Sequence, residues 1–214
     1  MDFLKDRLPR NEIIKDTFRR DAPMYPDLAL RELIANALIH QDFTITGAGP
    51  MVEIFADRVE ITNPGAPLGS VERLLDQPPR SRNEALAAFM RRIGLCEERG
   101  GGVDKVVFET EHFQLPPPQW EVSGDNFRAI LFAHKELRQM DKKARVHACY
   151  LHASLRHVMR EPMTNASLRQ RFGIEERNKS QVSRYIREAL EAGVIKPYDP
   201  EQGRKDARYL PFWA

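Results

Sequence analysis

The sequence predicts an α+β chain of two modules: a two-layer α/β sandwich over residues 1–135, then a winged helix-turn-helix over 136–214. Three observations predict it. Residues 27–133 read as helix, strand, strand, helix, helix, strand, strand, an order that folds as helices on one face of a sheet. After Lys135 the order is three helices and a β-hairpin, that of a winged helix. Charge divides at the same place. Residues 136–214 hold 16 Lys+Arg against 10 Asp+Glu, a net +6, while residues 1–135 hold 17 against 21, a net −4. An acidic part joined to a basic part suits two modules, the second able to sit on nucleic acid.

The elements follow in order. The stretch "LPRNEIIKDTFRRDAPMYP" is Pro-punctuated and predicts an extended lead-in with a short helix. Pro26 marks the start of a helix over 27–40, with Asp27 as its cap. Within it, "ALRELIANALIHQDF" is apolar almost all round, so the helix is buried. Glu32, Asn36 and His40 nevertheless recur every four residues and fall on one stripe. A polar stripe on a buried helix is either paired internally, as a seam beneath a loop, or faces a cavity. β-rich runs at 51–55 and 59–62 flank a turn at Ala56-Asp57-Arg58. "NPGAPLGSVERLLDQPPRSR" is a Gly/Pro-interrupted loop over 64–82, long enough for its length to hint at function. A helix over 83–93 stops at Gly94. "EERGGGVDKVVFETEHF" then opens a helix behind three glycines, "LPPPQ" breaks it, and "QWEVSG" with "NFRAILFAHK" supplies two more strands.

In the second module, 136–160 predicts a long amphipathic helix or a helix pair. Thr164 caps "NASLRQRF", which Gly173 ends. Asn178 with Gln181 predicts a capping box for "KSQVSRYIREALEAG", and Gly193 stands at its C′ position. Val182, Ile186, Ala189 and Leu190 make that helix's inner face. The opposite side carries Lys179, Ser180, Ser183, Arg184 and Arg187, donors of the kind that meet phosphates and guanine edges. A charged turn between the two last strands adds Arg204 and Lys205, with Arg208 beside them. The partner these residues imply is double-stranded DNA, with a protein-docking wing as the rival use. The modest charge excess points to a homodimer or a further module to raise affinity.

Composition excludes several classes. The 214 residues, 42% hydrophobic and 30% charged, suffice for two cores and argue against long disorder. Cys96 and Cys149 stand far apart with no CxxC, which implies neither a disulfide framework nor a zinc site and suits a cytoplasmic protein. The N-terminus has no apolar core of a signal peptide, and no run approaches membrane-spanning length. No GxxxxGK[ST] is present, so Walker-type chemistry is excluded. His112, His134, His147, His152 and His157 lack metal-ligand spacing.

The three stretches "ALRELIANALIHQDF", "VEIFADRVEITNPG" and "SRNEALAAFMRRIGLCEERGGGVDKV" together resemble the predicted transcriptional regulators related to the ATP-dependent DNA helicase RecG. The closing "IKPYDPEQGRKDARYLPFWA" is similar to the same family's winged helix. The resemblance runs from about residue 3 to 133 and again at the C-terminus. It implies a divergent GHKL (Bergerat-like) ATP-binding domain with ATP and Mg²⁺ as cofactors. Asn36 would help hold Mg²⁺ on the triphosphate, and Glu32, the catalytic residue of any ATPase activity, would polarise water. Asn63 stands where the family's fold has an adenine-binding Asp, followed by Gly65. An amide keeps the acceptor, loses the charge and can flip. Gly100 and Gly102 match the second glycine box, where glycines and a helix N-terminus approach phosphate. The 64–82 loop takes the position of an ATP lid, with Arg80 and Arg82 as phosphate contacts. The resemblance also implies an upstream AlbA/Schlafen-type module in full-length members, so the chain is a truncated piece or a short member. The expected function is a DNA-binding regulator whose GHKL-like domain senses a nucleotide or another ligand. Two alternatives stand beside it: an ATP-hydrolysing accessory of DNA repair or remodelling, and a scaffold with a vestigial pocket.

Overall fold

Local pattern decides most of the elements. The computed structural model describes residues 2–8, 10–15, 18–78, 80–96, 102–203 and 206–214. The lead-in holds a short helix α1 (Asp2–Lys5) and an antiparallel hairpin of β1 (Arg10–Lys15) and β2 (Phe18–Pro23). Extended chain was expected there, but not its pairing. Pro26, with extended backbone at φ −63° and ψ 126°, is the N-cap of α2 (Asp27–His40). Asp27 is therefore the first helical residue and not the cap, and its acid meets the positive end of the helix dipole.

Chain contacts divide the protein into two compact units, residues 1–109 with 118–134, and residues 110–117 with 135–214. In the first unit β3 (Met51–Ile54) and β4 (Arg58–Pro64) form a hairpin. After the loop come α3 (Glu84–Arg92), α4 (Gly102–His112), β5 (Gln119–Ser123) and β6 (Asn126–Phe132). The sheet is antiparallel throughout, in the order β3-β4-β6-β5. Period-two alternation turns Val59, Ile61 and Asn63 to one face, all at most 2% exposed. That face packs on Leu30, Leu33 and Ala37 of α2 and Val106 of α4. Each such aliphatic burial stabilises by about 1.5–3 kcal/mol. Glu60 alternates to the other face, where Arg58 Nε lies 2.6 Å from Oε1 and Arg128 Nη1 lies 3.2 Å from Oε2. Helix α3 joins the unit by burying Ala87 and Met90 on Ala35 and Ile39 of α2. The unit is thus a mixed α+β layering of helices on an antiparallel sheet.

In the second unit α5 (Lys142–Val158) starts at Asp141, whose side chain accepts from Ala144 N at 2.7 Å. A two-residue strand β7 (Met163–Thr164) leads into α6 (Asn165–Phe172), with Thr164 and Ser167 forming its capping box. Gly173 at φ 63° ends it. Then come α7 (Lys179–Glu191), β8 (Ile195–Pro197) and β9 (Arg208–Pro211), in a sheet ordered β7-β9-β8. Asn178 does not cap α7. A 3₁₀ turn over Glu176–Asn178 runs straight into the helix, leaving Asn178 at φ −101° and ψ 20°, and Gln181 donates to the Tyr185 hydroxyl instead. The core gathers Cys149, Ala153, Met163, Leu168, Val182, Ile186, Ala189 and Ile195. Beside it lies a buried polar cluster. His152 Nδ1 is 2.8 Å from Glu111 Oε2, its Nε2 is 3.0 Å from Ser167 Oγ, and Arg171 Nη2 donates to the Leu115 carbonyl at 2.6 Å.

Candidate functional site

The polar stripe of α2 borders a cavity of about 220 Å³ in the first unit. Glu32, Asn36 and His40 all line it, so the alternative that faces an opening is the one realised. Ile61 and Asn63 of β4, Trp120 of β5, and Phe127 and Ala129 of β6 line it from the sheet. Gly102 and Val103 line it from the start of α4, and the loop after β4 contributes Gly65, Leu68, Gln77 and Arg80.

Two glycines act through close approach. A Cβ on Gly102 would stand 3.1 Å from Asn36 Nδ2 and 3.1 Å from Glu32 Oε2. The absence of a side chain is what lets the first turn of α4 meet the α2 stripe, joining two motifs 66 residues or more apart in sequence. Gly65 has φ +109°, and a Cβ there would stand 3.0 Å from the His40 carbonyl oxygen. Only glycine fits both that backbone and that packing.

The individual groups differ in environment. Glu32 is 3% exposed, with Oε1 3.8 Å from Arg31 Nη2. Asn63 is 2% exposed and its Nδ2 donates to the Pro64 carbonyl at 3.2 Å. That bond uses one of the two Nδ2 hydrogens and leaves Oδ1, the amide's acceptor, unengaged by it. Burial, with the Arg82 charge nearby, holds the His40 imidazole below its ordinary value. Asp104, in the first turn of α4, has its carboxyl pushed up to about 6 by burial.

Arg82 is committed elsewhere. Its Nη1 lies 3.0 Å from Asp42 Oδ2 and its Nη2 donates to the Ala66 carbonyl at 2.5 Å. Asn83 Nδ2 donates to the carbonyls of Ile39, at 2.9 Å, and Gln41, at 2.8 Å. Together they staple both ends of the loop to the end of α2. Arg82 is not among the residues lining the cavity; Arg80 is. Gly100 lies outside the described residues. Arg91 and Cys96 also line the cavity, and no motif announced them. The available signal was that Ala87 and Arg91 stand four residues apart on one helix.

On the second unit Lys179, Ser180, Ser183, Arg184 and Arg187 are all exposed on α7, opposite the buried Val182, Tyr185, Ile186 and Ala189. Ser183 Oγ donates to the Lys179 carbonyl at 3.2 Å and accepts from Asn165 Nδ2 at 3.1 Å, which ties α7 to the start of α6. Arg187 Nε is 3.9 Å from Glu191 Oε1. Arg204 and Lys205 lie outside the described residues. Next to them Gln202 bonds both backbone groups of Arg208 at 2.8 Å, holding the base of the turn. Among the described residues no helix is long and apolar enough to cross a membrane, and no three His, Cys, Asp or Glu side chains gather as a metal-ligand set.

Over 98% of this chain and 45% of that one, the fold is similar to the crystal structure of the DIP2311 protein from Corynebacterium diphtheriae, with a TM-score of 0.58 at 23% identity. The chain thus spans less than half of that structure, and the likeness is one of fold. No curated protein matches the chain. Residues 47–131, from just before β3 into β6, match the family model described as "Putative ATP-dependent DNA helicase recG C-terminal", a match that takes in Asn63, Gly65, Gly102 and Arg91 and begins after the α2 stripe.

Proposed function

We propose that the first unit is a GHKL-like domain that binds ATP in the cavity and that the second is a winged helix that binds duplex DNA. The chain would then be a nucleotide-sensing transcriptional regulator whose two domains divide near residue 135, apart from residues 110–117, which belong to the second unit. One observation carries the reading: the Glu32-Asn36-His40 stripe opens on a cavity where Gly102 approaches it within contact distance. A purely structural seam would leave no void there. The family match over 47–131 supports the same reading.

The donors suit the cofactor. Asn36 and Glu32 offer an amide and a carboxylate oxygen side by side, and Mg²⁺ on a triphosphate needs only one or two protein oxygens beside phosphates and water. Bound there, Mg²⁺ would offset phosphate charge. The chain's own groups account for the rest. Asn63 Oδ1 accepts from an exocyclic amine, Trp120 and Phe127 give apolar surface to a ring, and Arg80 reaches phosphate. A neutral His40 adds no charge of its own.

A second reading, ATP hydrolysis in service of DNA repair or remodelling, is favoured by the Glu32 carboxylate at the cavity wall, where it could take a proton from attacking water. For both readings the first experiment is the same: calorimetric titration of the wild type and Asn36→Ala with Mg·ATP. Heat from the wild type and little from the variant is expected. Equal heat from both overturns the role of the stripe, and none from either overturns nucleotide binding.

A further inference from the structure

We infer that Arg91 is a specificity-determining residue of the cavity, taking the negative charge of the ligand's phosphate tail; the inference rests on the nucleotide reading above. Ala87 and Arg91 are one helical turn apart on α3 and both line the cavity. That face of α3 is fixed. Ala87 and Met90 are 1% and 4% exposed against α2, the Ile93 N–H donates to the Phe89 carbonyl at 3.2 Å, and the Gly94 N–H donates to the Arg91 carbonyl at 3.0 Å. Gly94 at φ +72° then ends the helix. Arg91 is thus half-buried in the last turn of a short helix packed on α2.

Its chemistry is what sets it apart. The other half-buried arginines of this unit are committed: Arg58 to Glu60 and Asp57, Arg82 to Asp42 and Ala66, Arg31 to Glu32, and Arg128 to Glu60 and Thr62. For Arg91 no carboxylate or carbonyl among the described residues takes its guanidinium. A guanidinium has five donors and no acceptor, and partial burial without an anion leaves their desolvation uncompensated. Arg80, also lining the cavity, has no such partner among the described residues either. Against these two cations the described lining offers one carboxylate, Glu32. The cavity therefore favours an anion, and the planar fork of Arg91 suits phosphate oxygens in pairs. Its neighbour Arg92 carries the same charge in the same last turn, where either would complement the helix dipole, but it is exposed and does not line the cavity. A dipole role alone gives no reason for Arg91 to turn inward.

The test titrates the chain, with Mg²⁺ present, with ATP, ADP and adenosine. It compares wild type, Arg91→Ala, Arg91→Lys and Arg92→Ala. Expected is about a tenfold loss of ATP affinity in Arg91→Ala, the scale of one charge-assisted contact. ADP should lose affinity as well, adenosine should be unchanged, Arg91→Lys should recover part, and Arg92→Ala should match wild type. Unchanged ATP affinity in Arg91→Ala overturns the inference and leaves the nucleotide reading standing. Equal loss for ATP and adenosine also overturns it, since Arg91 would then only shape the cavity. If wild type binds none of the three, the nucleotide reading fails and the inference with it.

Discussion

At the scale of single residues, burial works against charge at two places near the cavity, and pH separates them. Asp104 holds its proton up to about pH 6 in the folded chain, above the ordinary carboxylate value of 3.8. The folded state then binds more protons than the unfolded one between those values, so stability falls as pH rises through that window. Above it the cost of a buried carboxylate is present in full. His40 is displaced the other way. Its folded value lies below 6.5, so the stability it lends at neutral pH is lost as pH falls below the ordinary imidazole value. Replacing Asp104 by Asn removes the first effect alone. The variant should be more stable than wild type by about 1 kcal/mol near neutral pH, a Tm gain of a few degrees. Near pH 4 the difference should vanish, because the native carboxyl is then neutral too. Thermal unfolding at both pH values checks this, and equal gains at both would mean that packing, not titration, is responsible.

Helices and strands were legible where pattern and punctuation agreed. Pro26, Gly94, Gly173 and Gly193 bound the elements that the sequence assigned to them, three of the glycines with positive φ. The failures have local causes. β7 is two residues long, too short for any periodicity. The β1–β2 pair shows that a Pro-punctuated stretch can still be a hairpin. Asn178 had the composition of a cap, but the preceding 3₁₀ turn denies it the extended backbone that a capping side chain needs. The candidate site was half legible: the stripe and Gly102 could be read, whereas the pairing of Arg82 with Asp42 and the inward turn of Arg91 depend on contacts between distant segments. The contact between α2 and α4 is where an element-scale test belongs. Gly102→Ala places a Cβ 3.1 Å from both Asn36 and Glu32. Alanine favours the helix by up to about 1 kcal/mol, so Tm should change little. ATP affinity should fall severalfold, since the two side chains must give way by a few tenths of an ångström. Calorimetry beside thermal unfolding reads both, and undiminished ATP affinity would show that the close approach is incidental.

For the whole molecule the charge split has a thermodynamic consequence. The first 135 residues are net −4 and the rest net +6, so duplex DNA has reason to meet the second unit and little to meet the first. Binding through Lys179, Arg184 and Arg187 would release counterions, and log affinity should fall linearly with log salt. Arg184 is exposed on α7 with its guanidinium 5.5 Å from the Tyr185 ring. Arg184→Ala should weaken duplex binding about tenfold, and a shallower salt slope would identify the lost contact as one to phosphate. Absence of binding even at low salt, or indifference to Arg184→Ala, would leave the basic face as a solvated surface. A regulator must do more than bind both partners. If ATP alters duplex affinity by some factor, duplex must alter ATP affinity by the same factor. Titrating duplex with and without Mg·ATP, and Mg·ATP with and without duplex, closes that cycle. Matching factors different from one would make the chain a switch, whereas factors of one would make it two binding modules that share a chain without sharing free energy.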